Sequence, residues 1–285
     1  MKRALSPKDL AAAIGVSESS LKRWADSGKI AVVRTEGGHR RIDIAEAVRF
    51  VRESGVQLVR PDVLGLAEVA AVANEDGQGE ALYQHLAAGN LPEVRGLLVG
   101  MYLRGQAVAA ICDGPILAAM TRLGELWRHD SAGVFIEHRA TDLIVQAVTQ
   151  LRALIEQPRE SHRAVGGAPA GDPYLLPSML AATVLASEGV RAVNLGPDTP
   201  IGSLRHAVAH HQPRLVWLSV SSPPPPGLGA ELGRFARELA DTGATLVIGG
   251  RHRADVAAAA RGATVVTTMA ELAAFARGLS VGARG

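Results

Sequence analysis

Apolar residues along this chain change their period twice. Up to residue 53 they fall at helical spacing in short blocks: Leu10 with Ile14, Leu21 with Trp24, and Ile44 with Val48 and Val51. Ser6 and Ser17 stand where helix N-caps belong, and Gly15-Val16 supplies the turn between them, which is helix-turn-helix spacing. Ile30 to Arg34 then alternates, Thr35-Glu36-Gly37-Gly38 reads as a turn, and His39 to Ile42 returns, predicting a hairpin or wing. Both turn glycines are expected at positive φ. From Glu80 to Gln157 the pattern is helical throughout, broken at Gly89-Asn90, Gly105 and Ser131-Ala132-Gly133, giving roughly four helices of bundle length. Beyond residue 163 the period changes again. Short β-branched runs at 190–193, 215–220, 245–248 and 263–266 alternate with alanine- and leucine-rich helical stretches, with a weaker first strand near Ala164-Val165. A parallel sheet built from βαβ units requires that alternation.

The expected fold class is therefore multidomain α and α/β. It comprises a winged helix-turn-helix at 1–60, a linker at 61–79 marked by Pro61 and the polar run 74–79, a four-helix cap bundle at 80–157, and a Rossmann-like, flavodoxin-like parallel-sheet domain at 164–280. The length of 285 residues fits two or three cores. In such sheets ligands bind at the carboxyl ends of the strands, beside a topological switch point, so the loops after residues 166, 195, 220 and 248 are the place to look.

Composition narrows the chemistry. The single cysteine, Cys112, allows no internal disulfide or thiolate cage, and no apolar run reaches the length of a membrane span. The basic start MKRALSPKDL has no apolar segment behind it, so a cytoplasmic, membrane-free protein is expected. Net charge is +2, but residues 1–60 hold 12 Lys and Arg against 7 Asp and Glu. The basic end is the candidate polyanion binder. Recognition helices read bases from their first turns and wings reach phosphates, so Ser19, Ser20, Lys22 and Arg23 with Arg34, His39, Arg40 and Arg41 are the candidate contacts to double-stranded DNA. One such module makes few phosphate contacts, which favours a homo-oligomer, dimer or tetramer. Trp24 is assigned to the small core. His206, His210 and His211 lie on a polar helical face without carboxylate or thiolate company and read as solvated surface. No P-loop, dinucleotide fingerprint or nucleophile elbow is present, and an enzyme is not indicated.

The stretch Trp24-Ala25-Asp26-Ser27-Gly28-Lys29-Ile30 followed by Arg34-Thr35-Glu36-Gly37-Gly38-His39-Arg40-Arg41 resembles the winged helix-turn-helix of MerR-type and excisionase-like proteins. Further on, Leu126-Trp127 precedes Val134 and Glu137-His138, and strand ends carry Asn194-Leu195-Gly196-Pro197-Asp198-Thr199-Pro200, Leu218-Ser219-Val220-Ser221 and Ile248-Gly249-Gly250-Arg251. In that order these resemble the helical cap and Rossmann-like cobalamin-binding domain of the CarH and LitR family of light-responsive MerR-type repressors. The resemblance implies that Trp127 lies over the upper corrin face, that Val134, Glu137 and His138 reach the upper-ligand region, and that Ser219, Gly249 and Gly250 line the nucleotide-tail slot. His138 is a candidate upper ligand.

The chain departs from that pattern at the lower ligand. Proteins that bind cobalamin with its own base displaced carry D/E-x-H-x-x-G after the first strand; here the stretch is Asp172-Pro173-Tyr174-Leu175-Leu176-Pro177. Tyr174 replaces the histidine and Pro177 the glycine. A neutral imidazole suits cobalt and a phenol does not, while Pro177 and the run Pro223 to Pro226 stiffen the tail slot. The expectation is a transcriptional regulator, a repressor by resemblance, that senses a tetrapyrrole-like ligand or light with weakened or lost base-off cobalamin binding. The alternatives left open are cobalamin bound base-on or loosely, another tetrapyrrole such as haem or a bilin touching His138 or Tyr174, and a ligand-free member controlled by protein partners. A corrinoid-carrying enzyme subunit is a further class, opposed by the missing histidine and the winged helix.

Overall fold

The computed structural model describes residues 4–72, 77–126, 131–155 and 162–281. The chain forms two compact units, one of residues 1–107 and 114–156, the other of 108–113 and 157–285. Among the described residues, no helix is long and apolar enough to cross a membrane.

The first unit begins with β1 (Ala4–Leu5), α1 (Pro7–Ile14), α2 (Glu18–Asp26), β2 (Val33–Arg34), β3 (Arg40–Asp43) and α3 (Ile44–Ser54). Local chemistry sets these boundaries. Ser6 Oγ accepts the Asp9 N–H while the Asp9 carboxylate accepts the Ser6 N–H, a capping box at the start of α1, and Gly15 ends that helix at φ 71°. Ser17 Oγ accepts the Ser20 N–H at the start of α2. The wing turn closes through Gly38 N–H to Thr35 O and Thr35 N–H to His39 O. Only Gly38 takes positive φ, at 75°; Gly37 does not, because this turn needs a single left-handed residue. The wing strands are also shorter than the alternating run from Ile30, and β1 adds a third strand in the antiparallel order β1-β3-β2, Leu5 facing Ile42. Leu5, Leu10, Leu21, Ile30 and Ile42 fill the core of this small domain.

Residues 61–79, expected as a linker, are packed in part. A 3-10 turn (Pro61–Leu64) leads to α4 (Glu68–Ala71), and Leu64, Leu66 and Val72 are buried. The Glu68 carbonyl lies so close to Gly96 that a Cβ there would sit 2.9 Å from the Glu68 carbonyl carbon. The helical series continues with α5 (Gln78–Ala88), α6 (Leu91–Leu103) and α7 (Val108–Ile111), a π-helical turn at Cys112–Ile116, then α8 (Leu117–Leu126) and α9 (Ser131–Leu154). α5, α6, α8 and α9 pack on one another, and α3 packs on α6 and α9. Arg52 of α3 donates to the carbonyls of Tyr102 and Gln106 at 2.5 and 2.7 Å, and its guanidinium lies over the Tyr102 ring. The winged helix is therefore seated on the bundle within one unit.

The second unit runs β4 (Arg163–Gly167), α10 (Leu175–Ser187), β5 (Arg191–Asn194), α11 (Ile201–His211), β6 (Leu215–Ser219), α12 (Leu228–Asp241), β7 (Thr245–Gly249), α13 (Arg253–Ala257), β8 (Thr264–Val265) and α14 (Met269–Val281). Among the described residues its sheet is five-stranded and parallel, in the order β5-β4-β6-β7-β8. The chain leaves β4 toward β5 on one side and returns to β6 on the other, so the switch point lies at the end of β4. Val165, Val216, Leu218, Leu246 and Ile248 face α11 and α12 in one core with Leu232 and Phe235. α10 packs on β4, β5 and β6 from the opposite face, with α14 beside it. At the start of α14, Asp113 accepts the N–H groups of Met269 and Ala270, and Thr268 Oγ1 accepts that of Glu271. Three donors that a helix start leaves unpaired are thereby satisfied.

Candidate functional site: a nucleic-acid interface and a B12-type module

The cationic residues of the winged helix are presented but do unequal work. Arg23, Arg34, His39 and Arg41 are exposed, and Lys22 pairs with Glu18 one turn earlier at 2.8 Å. Ser19 and Ser20 both hydrogen-bond the Ser17 hydroxyl at 2.9 Å, which draws them toward the helix cap. Arg40 donates to Asp26 at 2.6 Å and so ties β3 to the end of α2. In the wing ladder Arg34 lies opposite Arg40 and Val33 opposite Arg41, so Arg40 and Arg41 point to different faces of the ribbon. Trp24, expected in the core, is only half-buried and borders it, packing on Phe50 with ring centroids 5.4 Å apart.

On α9, Val134, Glu137, His138 and Thr141 share one helical face. Glu137 accepts from the Thr141 hydroxyl at 2.9 Å and lies 3.5 Å from His138 Nε2. The His138 side chain is 76% exposed. Trp127 lies outside the described residues.

At the switch point of the sheet, Asp172 is 2% exposed. Its Oδ2 accepts the N–H groups of Ser221 and Ser222 at 2.5 and 3.0 Å, and Oδ1 accepts that of Tyr174 at 3.1 Å. The motif aspartate thus clamps the loop after β4 to the loop after β6. Tyr174 stands at the N-cap of α10 with its side chain 54% exposed, and Pro177 occupies the first turn, where a missing N–H costs nothing. Ser219 and Gly249 are paired neighbours on β6 and β7. Gly250 sits at φ 98° against the end of β6, where a Cβ would come within 2.6 Å of the Val220 carbonyl carbon. Two residues before Ser219 on the same sheet face lies Trp217, 2% exposed.

Two family models match the chain: a helix-turn-helix domain over residues 4–53 and a B12 binding domain over residues 78–152. The chain has the domain order of a CarH-like regulator. Among solved structures, the monomethylamine corrinoid protein of Methanosarcina barkeri aligns at 19% identity and TM-score 0.53, covering 70% of this chain and 96% of that one. A cobalamin-binding protein from Desulfitobacterium hafniense aligns at 18% identity and TM-score 0.36 over 73% and 98% of the two chains. The methanol:cobalamin methyltransferase complex of M. barkeri aligns at 15% and 0.37, over 93% of each. The first of these supports the Rossmann-like fold. Among curated proteins the chain has no match.

The residues present do not fit a corrinoid held base-off. Tyr174, expected at the lower-ligand position, is a surface phenol, Asp172 is spent on three backbone donors, and Trp217 fills the sheet face beneath Ser219 and Gly249. Among the described residues no three His, Cys, Asp or Glu side chains cluster as a metal site. Sequence reading missed Trp217, although its spacing of two from Ser219 in a strand was the available signal.

Proposed function

We propose that the protein is a homo-oligomeric, DNA-binding transcriptional repressor whose B12-type module responds to a tetrapyrrole-like ligand without inserting a nucleotide tail. The observation that carries this reading is the seating of α3 on α6 and α9, because α9 bears Val134, Glu137 and His138. A ligand that shifts α9 acts on a helix in direct contact with the DNA-binding domain, and Arg52 of α3 ties that domain to the end of α6 through the Tyr102 and Gln106 carbonyls. Exposed cations on α2 and the wing supply the polyanion contacts.

Control by a protein partner alone is the second reading, favoured by the exposed apolar side chains Tyr174, Leu175 and Leu195 at the strand ends. Absorption spectra of the purified protein with and without adenosylcobalamin and haem separate the two. A ligand spectrum together with a ligand-dependent change in retention of an operator duplex supports the first; spectral silence with all of them and unchanged retention refutes it. Failure to bind any duplex refutes both.

A further inference from the structure

The sheet face under α10 has an unusual relief. β4 carries no side chain at Gly166, β7 carries none at Gly249, and Ser219, the β6 partner of Gly249, is small. A glycine inside a central strand loses packing and marks a place where something approaches the backbone closely. Here the approaching group is the indole of Trp217, which pairs in register with Gly166: a Cβ on Gly166 would collide with Cδ2 and lie 2.6 Å from Cε2. The ring lies over the bare glycine, between the sheet and the helix α10 that covers this face. Its Nε1 is buried without a hydrogen-bond partner, so shape rather than hydrogen bonding holds it there.

We infer that Trp217 is an internal plug: its indole occupies the space beside Gly166, below Ser219 and Gly249, that a bicyclic nucleotide base would need, and it determines that this domain excludes such a base. Indole and benzimidazole are fused five- and six-membered rings of nearly equal size, so one closes the space to the other. The plug works at a different place from the Tyr174 and Pro177 substitutions, which lie at the entrance of α10. It also sets what the module excludes: any ligand whose pendant bicyclic base must enter the face under α10.

The inference rests on reading residues 164–280 as a B12-type module. The test uses the full chain, wild type and Trp217→Ala, titrated by calorimetry with 5,6-dimethylbenzimidazole and followed by thermal unfolding. Wild type is expected to give no saturable heat up to about 1 mM, whereas Trp217→Ala binds one equivalent below that concentration and regains part of its lost Tm. Adding Ser219→Leu, which crowds the same face one pleat outward, is expected to weaken that binding at least about tenfold. Saturable binding by wild type overturns the plug, as does a folded Trp217→Ala protein that binds none. Trp217→Leu, which keeps part of the apolar volume, takes the place of the alanine variant if that one fails to fold. Acrylamide quenching of Trp217 in a Trp24→Phe, Trp127→Phe background decides independently: a shielded indole unaffected by the heterocycle supports the plug, and an accessible one refutes it. Duplex binding is measured alongside, so loss of the plug leaves the regulator reading standing, and absence of duplex binding removes the regulator reading alone.

Discussion

Replacing Asp172 by Ala removes the acceptor for three backbone N–H groups, those of Tyr174, Ser221 and Ser222. Hydrogen bonds to a charged acceptor contribute about 1.5–3 kcal/mol each, so three set a ceiling of about 5–9 kcal/mol. Ser221 and Ser222 are half-buried and Tyr174 is at the surface, so water replaces much of what is lost. We expect a net loss of about 3 kcal/mol, near the upper end of ordinary single substitutions. At roughly 3 °C per kcal/mol for a unit of this size, the transition of the second unit falls by about 10 °C. Asp172→Asn is no remedy: whichever way the amide turns, an NH2 faces at least one N–H donor, so its loss stays at about 2–3 kcal/mol. The checks are urea unfolding and hydrogen exchange, with the Ser221 and Ser222 amides losing protection first. An Asp172→Ala protein within about 1 kcal/mol of wild type, with those two amides still protected, would falsify the clamp.

Three further outcomes are expected. Arg41→Ala weakens binding to all duplexes alike and lowers the salt slope by about 0.9, whereas Arg40→Ala, which frees the wing from Asp26, also changes preference among sequences; salt titrations on two operators distinguish these, and parallel losses for both variants refute the division. Gly250→Ala puts a Cβ at positive φ and into the Val220 backbone, costing at least about 3 kcal/mol in denaturant unfolding, and a neutral result contradicts the geometry. The Thr267 N–H and hydroxyl hold the Glu271 carboxyl below its ordinary range, so its stabilisation is present above the unfolded-state value and disappears as pH falls through the folded one. Glu271→Gln therefore lowers Tm at neutral pH, and the gap from wild type closes on acidification below about pH 4; a gap that persists there contradicts this account.

The sequence by itself determined what depends on near neighbours. Ser6, Ser17 and Gly15 set helix ends because a cap is a contact over three or four residues, and Gly38 set the wing turn for the same reason. The strands were legible as short β-branched runs, and the cationic end as a local excess of Lys and Arg. β1 was not, since two residues have no period and acquire a partner only when Ile42 arrives from elsewhere in the chain. Only the tertiary structure brought Arg40 to Asp26 at the end of α2, while its neighbour Arg41 stays exposed. It likewise carried Ser221 and Ser222 to Asp172, turning a motif residue without its histidine into a loop clamp. The placement of Trp217 over Gly166 is of the same kind. Alternation put the indole on one face of its strand, but which strand lies alongside, and in which register, was settled by the packing of segments some fifty residues apart. The indole's place over Gly166 is set by that long-range register, for which local pattern carries no signal.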